Sequence, residues 1–220
     1  MMQEVNLLAR LPRSRRNVQA RQEAQTSENI ALSREYGQAY FDGPRELGYG
    51  GYRYDGRWIA IAEDIVAHFR LKAGDRVLDV GCAKGFLVKD LMKVCPGLEV
   101  FGIDVSEYAL KNSESEVVGR LHLGSCVKLP FPDDSFAAVV SINTIHNVDR
   151  PDVLQALREI ERLAPGRSFV QVDSYRTPEQ RAIFMDWVLT AKFHDYPDGW
   201  IAAFREAGFT GDYGWTIVEG

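Results

Sequence analysis

The sequence has few cysteines, no long apolar run and no excess of basic residues. Its three cysteines, Cys82, Cys95 and Cys126, form no C-x-x-C pair. An odd number of widely spaced cysteines argues against a disulfide framework and against a zinc site. No apolar run approaches the ~18 residues needed to cross a bilayer, and Glu4 and Arg10 interrupt the start before a signal-peptide core could form. We therefore expect a protein of the reducing cytoplasm with no bound metal.

Length and net charge narrow the class further. A chain of 220 residues with 45% hydrophobic content is typical of one domain and can bury about 70% of its unfolded surface. The formal net charge is −5, and an acidic body opposes binding to nucleic-acid phosphates. We therefore expect a small-molecule ligand and no nucleic acid.

Basic residues are concentrated at the amino terminus. The first 22 residues hold five arginines against one acidic residue. These are Arg10, Arg13, Arg15, Arg16 and Arg21. They could contact phosphate, an anionic lipid surface or an acidic partner. The favoured alternative is a solvated arm whose Leu7, Leu8 and Leu11 pack against the domain or against a second subunit of a homo-oligomer.

An aromatic, glycine-rich stretch precedes the first long predicted helix, residues 59–69. Residues 48–58 hold four aromatic residues, two arginines and four glycines. Such a loop can close over a ligand, because aromatic faces attract a cation and arginine binds a carboxylate. The alternative is a loop ordered by its own aromatic packing. The candidate ligand contacts are Tyr52, Tyr54 and Arg57, and we predict an arm and lid over residues 1–58 and the main domain over residues 59–220.

A buried strand, a tight turn and a helix occupy residues 77–94. Residues 77–80 form the short, β-branched and apolar run typical of a strand covered on both faces of a parallel sheet. The small residues Gly81, Ala83 and Gly85 then let the backbone turn sharply and let a ligand approach it closely. A helix with apolar residues at helical spacing follows. This is the first unit of a doubly wound α/β fold, whose ligand site lies at the carboxyl end of the strand.

The segment from Asp79 to Gly85 resembles motif I, D-x-G-x-G-x-G, of the class I S-adenosylmethionine-dependent methyltransferases, with Ala83 in place of the middle glycine. The dinucleotide pattern G-x-G-x-x-G fits less well, because Phe86 stands at its third glycine. The resemblance implies a Rossmann-like, mostly parallel, seven-stranded sheet and S-adenosylmethionine as cofactor. It implies cofactor contacts from Asp79, Gly81, Cys82, Ala83 and Gly85.

A second carboxylate follows the next predicted strand, residues 98–104. Asp104 ends this strand, where the family's ribose-binding acid lies. The resemblance therefore implies that Asp104 and the adjacent Val105 contact the cofactor. The alternative is a helix cap, for which Asp104 and Ser106 compete.

A third segment, residues 124–136, is similar to the family's G-D-A-x-x-L-P-F-x-D-x-S-F stretch, which flanks the adenine. Here Ser125 replaces the usual aspartate, and a serine hydroxyl gives a weaker contact than a carboxylate. The resemblance implies an adenine contact from Ser125 and a backbone amide contact from Cys126.

Polar residues follow the fourth predicted strand, residues 137–142. The resemblance implies that Asn143 contacts the cofactor. His146 is the candidate general base, since a base is required when the methyl acceptor is a hydroxyl or an ammonium group. The alternative is a buried or merely substrate-facing imidazole. Residues 143–146 lack the N-P-P-Y signature of enzymes that methylate base amines.

The remaining pattern completes an alternating α/β chain. It predicts helices over residues 151–164, 177–189 and 200–207, and strands over residues 168–172 and 213–218. We expect a cytoplasmic methyltransferase acting on a small molecule, such as a sugar or a secondary-metabolite intermediate. A different hypothesis is a catalytically idle cofactor-binding subunit that regulates a partner through its basic arm.

Overall fold

The computed structural model describes residues 2–12 and 17–219, which fold around one parallel β-sheet. Its strands are β1 Arg76–Val80, β2 Glu99–Asp104, β3 Leu121–Leu123, β4 Ala138–Ile142, β5 Ser168–Asp173 and β6 Asp212–Thr216. They are ordered β3-β2-β1-β4-β5-β6, and each neighbouring pair is parallel. The order reverses between β1 and β4, which leaves a crevice at their carboxyl ends.

Helices cover both faces of this sheet. Within the described residues they are α1 Val18–Glu23, α2 Ser27–Ser33, α3 Gln38–Asp42, α4 Ile59–Phe69, α5 Phe86–Val94, α6 Glu107–Lys111, α7 Arg150–Leu163, α8 Pro178–Trp187 and α9 Pro197–Ala207. Leu78 and Val80 of β1 pack in the same core cluster as side chains of α7 and α9. Val77 packs on the opposite face with side chains of α4 and α5. The strand is therefore buried on both faces, as its continuous apolar run predicts.

The doubly wound parallel fold is confirmed, but the prediction of seven strands was wrong, because the described residues form six. β6 pairs directly with β5. The outer edge of β6 contacts the amino terminus instead. Val5 N donates to Tyr213 O over 2.8 Å, and Tyr213 N donates to Gln3 O over 3.0 Å. A short parallel bridge thus covers the sheet edge.

The described part of the amino-terminal arm lies against the domain. Leu7 is buried and Leu8 and Leu11 are half-buried, in the same core cluster as Ile61 and Ile65 of α4. The alternative of an arm packed on its own domain is therefore confirmed for these residues.

Two of the five arginines have partners inside the chain. Arg10 donates to Asp64 over 2.8 Å and to Glu63 over 3.0 Å. Arg21 is buried and donates to Arg45 O over 2.6 Å and to Gly48 O over 3.0 Å. The other three, Arg13, Arg15 and Arg16, lie outside the described residues. No described helix is both long and apolar enough to cross a membrane.

Candidate functional site

An open cleft lies at the carboxyl edge of β1, β2 and β4. Its empty space, with the open solvent at its mouth included, is about 710 Å³. One wall consists of the loops that follow these strands. Four aromatic residues, which we call the aromatic wall, also line the cleft: Tyr36, Tyr40, Phe41 and Tyr49. Ligands of doubly wound sheets bind at this position, where the strand order reverses.

The loop after β1 has three left-handed residues within five positions. The φ angles are +85° at Gly81, +49° at Ala83 and +77° at Gly85. A Cβ atom on Gly81 would lie 1.9 Å from Thr144 Oγ1, so only glycine fits there. Ala83 adopts the left-handed conformation despite its Cβ, at a cost of about 1–2 kcal/mol. Its N–H donates to Asp104 Oδ2 over 2.8 Å, and this bond helps to hold the turn.

Asp104 is fixed at the end of β2 with its carboxylate in the cleft wall. Its Oδ2 accepts from Ala83 N and its Oδ1 accepts from Ser106 N, each over 2.8 Å. Because each carboxylate oxygen can accept more than one hydrogen bond, both oxygens can still bind a pair of ligand hydroxyls. The helix cap belongs to Ser106, whose Oγ accepts from Ala109 N over 2.9 Å.

Asp79 lies behind the loop and is buried. Burial, with the nearby charge of Asp104 as a second cause, raises the pKa of the Asp79 carboxyl to about 7. Burial also raises the pKa of Asp104. Two neighbouring carboxyl groups at one side of a cleft favour a positively charged ligand, because a cation lowers the cost of ionising both.

The far end of the cleft is narrow and mainly apolar. Val105 is 53% exposed, and this large apolar surface faces the cleft beside Ile103 and Cys126. A Cβ atom on Gly124 would lie 2.7 Å from Ile103 Cδ1. Glycine at this position therefore lets the backbone pass close to the Ile103 side chain. Burial raises the pKa of the Cys126 thiol to about 11, so the thiol is neutral and unreactive. A nucleoside has a flat apolar ring beside a hydroxylated group. The ring fits this apolar end of the cleft, and the hydroxyls fit Asp104.

Seven of the ten predicted cofactor contacts line the cleft: Gly81, Ala83, Asp104, Val105, Ser125, Cys126 and Asn143. The other three, Asp79, Cys82 and Gly85, are not among the described residues that line it. Asp79 is buried within β1, whereas Cys82 and Gly85 belong to the loop that follows it. The Cys82 sulfur lies near Gly102, where an added Cβ would be 2.6 Å from it. The roles of all ten residues remain predictions.

The predicted lid residues do not line the cleft, and a lid is not confirmed. The Tyr52 ring stacks on Phe86, with the ring centroids 4.6 Å apart. Tyr54 donates to Asp90 Oδ1 over 2.6 Å. Arg57 pairs with Asp55 within its own turn. This segment therefore covers α5 rather than the ligand space, and ligand contact by these three side chains stays a prediction.

Sequence reasoning missed Tyr36, Tyr40 and Phe41 of the aromatic wall, whereas Tyr49 belongs to the aromatic stretch of residues 48–58 that it singled out. The rings of Tyr36 and Tyr40 lie 5.4 Å apart, and those of Tyr40 and Tyr49 lie 5.2 Å apart. The spacing of Tyr36 and Tyr40, one helical turn apart, was the available signal.

The aromatic wall is tied to the loop after β1 through Asp42. This carboxylate accepts from Lys84 Nζ over 2.7 Å and from Tyr108 Oη over 2.7 Å. The Lys84 side chain is buried, with 8% of its surface exposed. Because breaking a buried ion pair leaves an uncompensated charge, this contact fixes the wall relative to the loop.

His146, the candidate base, lies in the 3-10 turn Ile145–Asn147 and is buried. Its Nδ1 accepts from Asp173 N over 3.0 Å, and its Nε2 lies 3.5 Å from Asp173 Oδ2. Burial lowers the pKa of the imidazole. His146 is not among the described residues that line the cleft, so its role as a base stays a prediction that this geometry does not support.

Comparison with known proteins is consistent with this site. Residues 78–170 match the family described as "Methyltransferase domain". A demethylmenaquinone methyltransferase of Symbiobacterium thermophilum is 30% identical, and the match covers 70% of this chain and 76% of that protein. A 2-phytyl-1,4-naphtoquinone methyltransferase of Synechococcus elongatus is 33% identical, covering 61% of this chain and 66% of that one.

A solved structure shows the same fold. It is the complex of the Haloferax volcanii Trm112 methyltransferase activator with a methyltransferase, with a TM-score of 0.55 and 25% identity. The match covers 67% of this chain and 66% of that chain. The chain spans less than two thirds of the length of several other curated relatives. The motif loop, the parallel fold and these relatives together show that the chain belongs to the class I methyltransferases, enzymes that take their methyl group from S-adenosylmethionine.

Proposed function

We propose that the chain methylates a quinone-type ring in its reduced, hydroquinone form. The observation that carries the proposal is the aromatic wall, which lines the same cleft as Gly81 and Ala83 of the loop after β1. Flat aromatic ligands stack on or pack edgewise against such rings at centroid distances of about 4.5–7 Å. Two relatives are named for quinone substrates, which agrees with this choice.

The charge of the aromatic wall favours a neutral ring over a sugar or a charged metabolite. Burial raises the pKa values of Tyr36 and Tyr40, and an ordinary phenol has a pKa of about 10, so the phenols of this wall are neutral at physiological pH. Among the described residues that line the cleft, Asp104 alone belongs to a charged type, and it lies on the nucleoside side. A sugar would need many polar partners to offset its desolvation, and this wall is mostly aromatic.

The redox state of the acceptor follows from the chemistry of transfer. S-adenosylmethionine supplies an electrophilic methyl group, so the acceptor must donate the electron pair that forms the new bond. The methyl–sulfur bond breaks to leave S-adenosylhomocysteine, and the acceptor releases one proton to solvent. An oxidised quinone ring is electron-poor, whereas its hydroquinone is electron-rich. The chain's own contribution is to orient the two reactants and to exclude water between them. We place this reaction in the cytoplasm, in agreement with the sequence analysis.

An assay with a simple ring tests the proposal. We expect the purified chain to transfer label from S-adenosylmethionine to 1,4-naphthohydroquinone kept reduced with dithionite, and not to oxidised 1,4-naphthoquinone. Mass spectrometry of the product gives the position of the new methyl group. Tight binding of the cofactor without transfer to any hydroquinone would instead favour the idle cofactor-binding subunit.

Asp104 is proposed to bind the ribose hydroxyls. Asp104→Asn keeps the side-chain shape but removes the charge, and hydrogen bonds to charged groups contribute about 1.5–3 kcal/mol each. We expect the affinity for S-adenosylhomocysteine, measured by calorimetry, to fall at least tenfold, since 1.4 kcal/mol corresponds to about tenfold.

Asp75→Asn is the matched control for this measurement. Asp75 also accepts a backbone hydrogen bond, from Lys72 N over 2.9 Å, but it precedes β1 at the opposite edge of the sheet. It should leave cofactor affinity unchanged. Equal affinities for the Asp104→Asn protein and the parent would restrict Asp104 to holding the loop.

A further inference from the structure

Asn143 is held in an unusual conformation where β4 meets the cleft. Its φ angle is +54°, a left-handed value that asparagine tolerates better than most residues. Its backbone N donates to Gln171 O over 2.8 Å. The side chain lines the cleft. Both the main chain and the direction of the side chain are therefore fixed by neighbouring strands.

A directed chain of hydrogen bonds sets the orientation of the Asn143 amide. Gln171 Nε2 donates to Thr216 Oγ1 over 3.2 Å, and Thr216 Oγ1 donates to Asn143 Oδ1 over 2.7 Å. A hydroxyl has a single hydrogen, and that of Thr216 is given to Asn143. The Gln171 amide has room because Gly214 has no side chain, where a Cβ would lie 2.3 Å from Gln171 Oε1.

The consequence is that the Asn143 Nδ2 group is available to a ligand as a donor, while Oδ1 is held by the bond from Thr216. No described residue accepts from this Nδ2. The neighbouring amide of Asn147 also lines the cleft and donates to Asn143 O over 3.3 Å, which strengthens the hold on this turn. A group with two free N–H bonds at the mouth of the cleft selects a ligand oxygen.

The position of Asn143 in the sheet indicates whether this ligand oxygen belongs to the cofactor or to the methyl acceptor. Asp104 ends β2 and Ser125 follows β3, on one side of β1, whereas Asn143 follows β4 on the other side. The nucleoside site and Asn143 are thus separated by the loop that contains Gly81. Asn143 therefore lies at the reacting end of the cleft rather than at the nucleoside end.

We propose that Asn143 recognises a ring oxygen of the methyl acceptor as a hydrogen-bond donor, with Thr216 and Gln171 as positioning residues that fix its polarity. This inference rests on the proposed function and adds the means by which the acceptor is oriented. In a quinone-type ring, oxygens of this kind are bonded to the ring, next to the ring carbons. The bond from Asn143 would hold one oxygen while the ring packs against the aromatic wall.

Two substitutions at Asn143 separate donation from simple occupancy. Asn143→Gly removes the side chain without backbone strain. It should weaken binding of 1,4-naphthoquinone, reduced with dithionite to its hydroquinone, about 3–10-fold, the range of one neutral hydrogen bond. Asn143→Asp keeps the size and can still accept from Thr216, but it presents only acceptors and a negative charge. It should weaken binding by at least about tenfold. Binding is measured by tyrosine fluorescence quenching of the protein loaded with S-adenosylhomocysteine.

Thr216 variants test the positioning role. Thr216→Val removes the hydroxyl at nearly constant shape and frees the Asn143 amide to rotate, so we expect binding to weaken by about 2–5-fold. Thr216→Ser restores the hydroxyl and should restore binding. A purely structural role for Thr216 would lower the stability of the Thr216→Val protein without changing its affinity for the naphthoquinone.

Affinity for S-adenosylhomocysteine, measured in parallel, should stay within about threefold in every variant. Parental binding of the naphthoquinone by Asn143→Asp would overturn the inference. An equal loss of S-adenosylhomocysteine affinity would also overturn it, because Asn143 would then contact the cofactor. Failure of the parent protein to bind the reduced naphthoquinone would overturn the proposed function itself, which the variants alone cannot do.

Discussion

Replacing Gly81 by alanine is expected to lower the free energy of unfolding by about 2–5 kcal/mol. The φ angle of +85° costs a residue with a Cβ about 1–2 kcal/mol. Overpacking adds about 1–3 kcal/mol, because the new Cβ would lie 1.9, 2.4 and 2.5 Å from three atoms of Thr144, including its Cβ. Rotation of the Thr144 side chain cannot relieve a contact with its own Cβ, so the loop itself must move.

Gly74→Ala provides the control for strain alone. Its φ angle is +86° and an added Cβ meets nothing within 4 Å, so only the conformational cost of about 1–2 kcal/mol applies. Urea unfolding of both variants measures the difference, which is the cost of the contact with Thr144. Cofactor affinity should fall in Gly81→Ala and not in Gly74→Ala. Equal losses of stability in the two variants would show that the loop after β1 moves away from Thr144 without a further energetic cost.

The residues at the carboxyl edge of the sheet could be predicted because strand ends converge there. Asp104, Ser125 and Asn143 each follow an apolar run, and parallel strands place the ends of such runs together. The left-handed turn at Gly81 and Gly85 was equally readable from residue type. These features depend on local sequence and on the regular geometry of parallel sheets.

The features that sequence reasoning missed depend on contacts between distant segments. Nothing local indicates that Val5 will pair with Tyr213. The seventh strand was implied by the family resemblance and not by the residue pattern. The contact of Asp42 with Lys84 holds the aromatic wall. It joins two short segments in which apolar residues recur with little periodicity. The burial of His146 depends on a single 3-10 turn and on the backbone of Asp173. Such turns carry no sequence period.

Asp79 should make the protein less stable as the pH rises from about 4 to 7. Burial and Asp104 raise the pKa of the Asp79 carboxyl to about 7, whereas its unfolded value is about 3.9. Between these values the folded chain binds a proton that the unfolded chain has lost. Stability therefore falls with increasing pH in this window. Above pH 7 the folded protein must hold a buried carboxylate.

Asp79→Asn removes this dependence. Since one pKa unit corresponds to about 1.4 kcal/mol, we expect the variant to exceed the parent by about 2–4 kcal/mol in free energy of unfolding at pH 8. The advantage should disappear near pH 4, where both side chains are neutral. Urea unfolding at a series of pH values gives the difference directly.

Asp75→Asn is the control for the direction in which stability changes with pH. The backbone N–H of Lys72 and its ammonium group lower the pKa of the Asp75 carboxyl, so this carboxylate stabilises the fold above its unfolded pKa and the benefit is lost as the pH falls. Its removal should therefore cost stability at pH 8, the opposite of the result for Asp79→Asn. Parallel pH profiles for Asp79→Asn and the parent would contradict a buried, titrating Asp79.

The retention of a destabilising carboxyl group is explained by the ligand. Asp79 and Asp104 lie beside a cleft whose cofactor carries a positive sulfonium and an ammonium group, and a bound cation lowers the pKa of both carboxyl groups. S-adenosylmethionine should therefore stabilise the parent more than it stabilises Asp79→Asn at pH 8. Thermal unfolding with and without the cofactor measures this coupling, and an equal shift in both proteins would place Asp79 outside the electrostatic reach of the cofactor. We therefore expect Asp79 to lower the stability of the free protein and to raise its affinity for the cationic cofactor.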